Sequence, residues 1–126
     1  MTYSPVAGIK TNNRALGVDV NGNSVENITE ILDRSGFVSS VISTSEVTHA
    51  TPAAFVAHAS SRYLSDEISI QMSNSKIKNI LGGGRKFFMT EEDGGIREDG
   101  VNLIEKVKNN SKLITHKDEL KDIALY

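Results

Sequence analysis

Short segments rich in β-branched residues alternate with segments of helical character along most of this 126-residue chain. Helices are predicted over Asn23–Arg34, over Pro52–Arg62 and from Ser65 onward. Strands are predicted over Phe37–Thr44 and Lys78–Leu81, where β-branched and small residues suit a buried sheet. Strands that alternate with helices are typical of a parallel sheet with helices packed against it. The sequence therefore predicts the α/β class.

Local signals place the ends of these helices. Asn23 is expected to cap the first helix, with Glu26 three residues later completing a capping box, and Gly36 is expected to end it. The next helix is expected to begin at Pro52, a favoured first helical position, with Thr51 as its cap.

The second half continues the alternation with shorter elements after the glycine run Gly82–Gly84. They are an exposed acidic loop over Thr90–Gly100, a helix over Gly100–Asn109, a strand over Lys112–Thr115 and a helix over Lys117–Ile123. Residues 1–22 are expected to be loop-like. The whole chain, 1–126, is expected to form one domain, since a chain of this length buries a substantial core.

Composition excludes several classes of function. The formal net charge of −2 gives no long-range attraction to nucleic acid or to an anionic membrane, so neither is an expected partner. There are no cysteines, which excludes disulfides and thiolate metal sites. No apolar run approaches the roughly 20 residues that span a bilayer. Met1–Pro5 lacks the pattern of a signal peptide, and the compartment stays open.

The segment Thr48–Arg62 (THATPAAFVAHASSR) collects the side chains of greatest chemical interest. A threonine hydroxyl is a ligand for a hard cation, and a guanidinium matches two phosphate oxygens. Each residue also has a purely structural alternative: Thr51 as a helix cap, His49 as a loop residue, and Arg62 as a favourable charge at a helix end. His58 is expected to be a hydrogen-bonded core residue, and His116 receives no role.

Three blocks in order carry a family resemblance. They are Gly8–Asp19 (GIKTNNRALGVD), Thr48–Arg62 and Ile80–Phe88 (ILGGGRKFF). Together they resemble the alkaline phosphatases, which hydrolyse phosphate monoesters through a serine nucleophile with two zinc ions and one magnesium ion. The resemblance implies a partial alkaline-phosphatase-like domain.

The resemblance also assigns residues. It implies that Arg62 binds the substrate phosphate, that Thr51 is a magnesium ligand, and that His49 acts on the magnesium through water, at a position where the family carries aspartate or histidine. It implies that the glycine run is a structural exit from a parallel strand. A phosphate-binding loop is excluded because Lys86 is followed by Phe87.

The chain departs from the family pattern at the nucleophile. The family's Asp-Ser-Ala motif lies upstream of the lysine that corresponds to Lys10, and only nine residues precede Lys10 here, with no Asp-Ser pair. Ser4 is followed by Pro5 and is not a credible substitute. The segments that hold the zinc ligands in the family are also missing, so the chain is expected to be an internal fragment that is inactive alone.

Other interpretations remain. The chain could be a non-catalytic module that binds phosphate or a protein, or an unrelated small α/β domain. A fragment is also expected to expose strand edges and to self-associate. The acidic residues of the 90–100 loop are expected to be solvated, with calcium binding as the alternative.

Overall fold

The computed structural model describes residues 2–108 and 111–122. Within these residues, four strands and four helices follow in chain order, with two 3₁₀ turns at Arg85–Phe88 and Lys117–Asp122. The strands are β1 (Thr2–Ser4), β2 (Ile9–Thr11), β3 (Ser40–Glu46) and β4 (Asn79–Gly83). The helices are α1 (Ile28–Arg34), α2 (Ala50–Ala54), α3 (Ser65–Ser73) and α4 (Leu103–Val107).

The central pairing is the parallel pair β3–β4. Val41 lies opposite Ile80 and Ile42 opposite Leu81, and the register shifts before Glu46 pairs with Gly83. The predicted parallel strands are therefore confirmed, and the glycine run does end a strand. A Cβ on Gly82 would lie 2.7 Å from the Val47 side chain, so the chain needs glycine there to leave the sheet beside β3.

The core lies on one face of this pair, under α2 and α3. Its buried members are Leu16, Val41, Val47, Ala53, Val56, Ala57, Ala59, Ile68 and Met72. Helix α2 contributes Ala53 to this core, and α3 contributes Ile68 and Met72. The core therefore backs directly onto the segment 48–62.

The strand predicted over Lys78–Leu81 is found as β4 at Asn79–Gly83, and two other predicted strands have different bounds or are absent. Phe37 and Val38 lie before β3 and are 63% and 74% exposed, because the pairing with β4 begins only at Ser40. Among the described residues, Lys112–Thr115 forms no strand. The backbone amides of Thr115 and His116 instead donate to the Glu119 carboxylate at the start of the last 3₁₀ turn.

Three further predictions on element bounds are corrected. The first residues form an antiparallel hairpin, β1–β2, where a loop was expected. The helix predicted over Gly100–Asn109 is the shorter α4, capped by the Asn102 side chain, and Asn109 lies outside the described residues. The final element is a 3₁₀ turn, and Ile123 also lies outside the described part of the chain.

The cap of the first helix is Asn27, and the prediction of Asn23 was wrong. The Asn27 side chain accepts from the Thr29 and Glu30 amides, and the Glu30 carboxylate accepts from the Asn27 amide, which is a complete capping box. Asn23 is instead drawn into a turn in which its amide donates to the Asp19 carboxylate. The Asn-x-x-Glu pattern of Asn27 and Glu30, four residues after that of Asn23, marks the start of α1. Gly36 follows the end of the helix with a φ of +82°.

The helix predicted over Pro52–Arg62 is also wrong in both bounds. It begins at Ala50 with His49 at the cap position, and it ends at Ala54. Pro52 is tolerated in the first turn because amides there have no intrahelical acceptor. The Thr51 hydroxyl does not cap the helix. Beyond Ala54 the chain turns and then extends, since Ala59 pairs with Leu16 as an antiparallel bridge.

The acidic loop contains a buried arginine that the sequence did not indicate. Arg97 is 1% exposed, pairs with Asp99, and donates from Nη1 to the Ser69 hydroxyl at 2.7 Å and to the Phe87 carbonyl at 3.2 Å. The exposed loop is thus confirmed for its acidic residues, whereas Arg97 fastens the loop to α3.

Asp93 accepts from the Thr90 hydroxyl and the side-chain amide of Asn102, and these bonds hold the pKa of Asp93 below its ordinary value.

The two cap residues predict a contrast in stability. Replacing Asn27 with alanine removes a buried cap and should lower the free energy of unfolding by about 1–2 kcal/mol. Replacing Thr51 with alanine should change it by less than about 0.5 kcal/mol, because its exposed hydroxyl caps nothing. Urea denaturation of both variants measures the difference, and an equal loss for the two would contradict the assigned cap.

Candidate functional site

Residues 57–62 are an extended segment held against residues 12–17. Leu16 and Ala59 exchange two backbone hydrogen bonds of 2.9 Å, and the Arg62 amide donates to the Arg14 carbonyl at 2.7 Å. Arg14 itself has a φ of +71°, and its guanidinium lies over the Tyr63 ring at 5.7 Å. This pairing turns the chain back toward the start of α2, so Arg62 is placed by backbone bonds and not by a helix.

Arg62 and His49 meet at the start of α2. The Nη2 of Arg62 lies 3.1 Å from the Nε2 of His49. Arginine has no acceptor atom, so the guanidinium donates and His49 accepts through Nε2. The His49 amide donates to the Glu46 carbonyl at 3.0 Å, at the end of β3, which fixes the backbone of the cap residue. The structure therefore brings two of the three predicted site residues into contact.

Thr51, the third predicted residue, lies two positions further in the first turn of α2. Its side chain is exposed, and in the described part of the chain it makes no hydrogen bond. An apolar groove of about 660 Å³ opens beside it, between the β1–β2 hairpin, α1 and α2. A hydroxyl at such an edge is available to an oxygen-seeking cation.

The residues present fit only one edge of a magnesium site. Magnesium prefers oxygen ligands and keeps several waters, so the Thr51 hydroxyl suits it as a single protein ligand. The Nε2 atom of His49 is already hydrogen-bonded to Arg62. Within residues 2–108 and 111–122, no three or more acidic, histidine or cysteine side chains lie close enough together to hold a metal ion. The geometry thus agrees with a partial site in which most ligands would be water or other groups.

His58 is a half-buried, hydrogen-bonded residue, as predicted, although it follows α2 and does not lie on it. Its Nδ1 lies 2.7 Å from the Gly17 carbonyl oxygen and its Nε2 lies 3.0 Å from Oε1 of Glu30. Burial of the ring opposes its charged form. The bonds to Glu30 and Gly17 outweigh that effect and raise the pKa of His58 above its ordinary value.

Two residues that support this segment were not found from the sequence. Glu30 holds the His58 ring, and Gln71 of α3 bonds both the amide and the carbonyl of His58. The Asn-x-x-Glu spacing of Asn27 and Glu30 was a detectable signal for the cap. No local pattern connects Gln71 with a residue 13 positions earlier, because only the packing of α3 brings them together.

In the described residues, no helix is long and apolar enough to cross a membrane. The Arg85 and Lys86 side chains that follow the glycine run are exposed, as predicted. Lys86 pairs with Glu46 at 2.9 Å, at the end of β3.

Comparison with known proteins identifies the family. A family model described as alkaline phosphatase matches residues 3–125. Alkaline phosphatase 4 of Bacillus subtilis is 41% identical over 87 residues, which cover 64% of this chain and 19% of that protein. The chain spans about a fifth of the length of the curated relatives it matches.

Solved structures agree in fold. The alkaline phosphatase of the Antarctic bacterium TAB5 superposes with a TM-score of 0.78 at 33% identity, covering 93% of this chain and 34% of that one. A TAB5 variant with a histidine replaced by glutamate, with Mg bound in its M3 site, gives 0.77 at the same identity and coverage. The α/β class is confirmed, and the chain belongs to the alkaline phosphatase family.

Proposed function

We propose that this chain supplies the phosphate-binding arginine and one edge of the magnesium site of a phosphate monoester hydrolase. The observation that carries the proposal is the 3.1 Å contact between Arg62 and His49 at the start of α2, two residues from the exposed Thr51. The guanidinium thus contacts the cap residue of α2, and the exposed Thr51 hydroxyl lies in the first turn of the same helix. Membership of the alkaline phosphatase family supports phosphate monoesters as the substrate class.

Arg62 is suited to hold a phosphate. Its guanidinium can donate two parallel hydrogen bonds to two phosphate oxygens, and it keeps its positive charge at every working pH. The negative charge of a transferring phosphoryl group spreads over its equatorial oxygens, so a fixed cation beside them stabilises the transition state. The bond from the Arg62 amide to Arg14 fixes the backbone from which the side chain reaches.

Thr51 and His49 would hold magnesium, Thr51 directly and His49 through water. When bound, the ion would add positive charge and ordered waters beside the phosphate. An imidazole supplies no negative charge, so His49 should hold the ion less strongly than a carboxylate would. The TAB5 variants whose histidine is replaced by glutamate or aspartate have Mg bound in the M3 site of that protein, which supports magnesium as the metal of this edge.

Phosphate binding tests the proposal directly. Titration of the chain with inorganic phosphate, followed through the Arg62 side-chain NMR signal in the wild type, should show saturable binding. Isothermal titration should show affinity falling about tenfold or more in Arg62→Ala, since hydrogen bonds to charged groups contribute about 1.5–3 kcal/mol. Arg62→Lys should retain charge but lose the fork, and Arg85→Ala is the matched control on an exposed arginine. An equal loss in Arg85→Ala would reject a specific site.

Hydrolysis by these 126 residues alone is not expected, because the sequence contains no Asp-Ser pair to provide the nucleophile. A chromogenic phosphate monoester assayed at alkaline pH with added zinc and magnesium should give the same background rate for wild type and Arg62→Ala. A rate that exceeds background and disappears in Arg62→Ala would show a working site and contradict this part of the proposal.

Binding of a second copy is a further function that one observation favours. Ile42 of β3 is 73% exposed, and Phe37 and Val38, which precede β3, are exposed as well. Parallel sheets are normally covered on both faces, and open strand edges promote pairing between chains. We therefore propose self-association through these exposed residues.

Sedimentation velocity at increasing concentration checks self-association. The wild type should show a growing fraction of dimer or larger species, and Ile42→Lys should shift the population toward monomer because a charge cannot be buried in the contact. Ile96→Lys, at another exposed apolar residue, is the control. A strict monomer at high concentration would contradict the proposal.

A further inference from the structure

The His58 ring lies between two oxygen acceptors from different parts of the fold. Nδ1 is 2.7 Å from the Gly17 carbonyl and Nε2 is 3.0 Å from the Glu30 carboxylate. A neutral imidazole has one N–H, so it could donate to only one of these oxygens and would press a lone pair against the other. Both bonds form together only when the ring is doubly protonated.

The carboxylate partner is held in its ionised form. Its second oxygen, Oε2, accepts from the Asn27 amide at 2.8 Å as part of the capping box of α1. Partial burial opposes ionisation of Glu30, but the bonds from His58 and Asn27 and the charges of His58 and Arg34 hold its pKa below the ordinary value. An anion thus faces Nε2.

Gly17 shows that the other contact depends on a special backbone position. Its φ is +57°, and a Cβ added there would lie 2.6 Å from Nδ1 of His58 and 2.9 Å from the Ala57 carbonyl oxygen. A side chain at this position would expel the imidazole. Glycine is therefore what allows the ring to reach the carbonyl oxygen.

The backbone of His58 is held by Gln71 of α3. The His58 amide donates to Oε1 of Gln71 at 2.8 Å, and Nε2 of Gln71 donates to the His58 carbonyl at 2.7 Å. Glu30 is the charged group that contacts the ring; Arg34 of α1 acts on Glu30, and Glu67 of α3 contacts Gln71 at 3.3 Å. Residues 12–17 contribute the neutral Gly17 carbonyl.

We propose that His58 is a positively charged clamp that positions Arg62 by joining α1, α3 and residues 12–17 to the extended segment 57–62. The segment runs from the clamp through the Leu16–Ala59 pair to the Arg62 amide, which bonds Arg14. The phosphate role of Arg62 rests on the function proposed above, whereas the charge of His58 and its grip on the segment do not. His58 is a positioning residue and touches no substrate.

The clamp should depend on pH with a definite sign. The pKa of His58 is raised in the folded chain, so its bonds stabilise the fold fully below the ordinary value of 6.5, and this stabilisation is lost as pH rises through the raised value. The pKa of Glu30 is lowered, so its contribution is lost only as pH falls through that lowered value. The clamp is closed between these two limits and opens on the alkaline side.

NMR of the wild-type chain tests the charge and the grip together. At neutral pH the ¹⁵N shifts of His58 should show both ring nitrogens protonated, and the midpoint of its titration should lie above the ordinary histidine value of 6.5. The backbone amides of Arg62 and Leu16 should move with the same midpoint as His58, while the Lys86 amide should not. A purely structural histidine would not couple these signals.

Glu30→Gln provides the variant, because glutamine still completes a capping box and the helix should persist. The midpoint of His58 should fall by about one pH unit or more when the opposite charge is removed, with the Arg62 amide following it. A His58 ring that is neutral at pH 7, that titrates at or below the ordinary value of 6.5, or that leaves the Arg62 amide unmoved would overturn the proposal.

Phosphate titrations at several pH values separate the two proposals. If the affinity for phosphate weakens as pH rises through the titration midpoint of His58, the positioning role is supported. If the affinity does not change at this midpoint, the positioning role is overturned. If inorganic phosphate does not bind at any pH while the His58 and Arg62 signals remain coupled, the function proposed for Arg62 fails and the clamp stands.

Discussion

The antiparallel contact between Leu16 and Ala59 is the constraint on which the candidate site depends. It ends the helical path after Ala54, because the amide and carbonyl of Ala59 are committed to Leu16. It also directs the chain back toward α2, so Arg62 reaches His49 across 13 residues of sequence. The same contact brings the Gly17 carbonyl to the His58 ring. One short pairing thus positions both Arg62, the proposed phosphate arginine, and the His58 ring.

Sequence patterns predicted the parallel pair and the glycine exit, since β-branched runs and glycine positions report on local backbone geometry. Predictions from these patterns were wrong where a contact between residues distant in sequence determines the local structure. The apolar spacing of 52–62 favours a helix, yet the helix ends at Ala54 and Ala59 pairs with Leu16 instead. Asn23 and Asn27 both begin an Asn-x-x-Glu pattern, and only the turn built around Asp19 distinguishes them. Of the site, the roles of His49 and Arg62 were expected from the family motif, whereas their direct contact and the part played by Gln71 depend on the folding of the chain.

Arg97 fixes the position of α3 from the side opposite Gln71. The loop that contains it is acidic, which predicts solvation, but its one arginine enters the interior and bonds Ser69 and the Phe87 carbonyl. A buried charge is tolerable only where it is paired and fully hydrogen-bonded, and Asp99 supplies the pair. The loop is therefore fastened to α3, whose opposite side carries Gln71. Helix α3 is thus held on one side by the Arg97 side chain and on the other by the two bonds between Gln71 and the His58 backbone.

The two histidines of the central segment show why burial alone does not decide the state of a ring. His49 is exposed and accepts a bond from a permanent cation through Nε2. His58 is half buried, where desolvation favours the neutral form, yet it faces a carbonyl and a carboxylate and must donate to both. The chemical character of the partner outweighs the surroundings in each case. The segment consequently places His49, a hydrogen-bond acceptor, beside Arg62, the arginine proposed to bind phosphate, and His58, the proposed cation, nine residues after His49 in a single run of sequence.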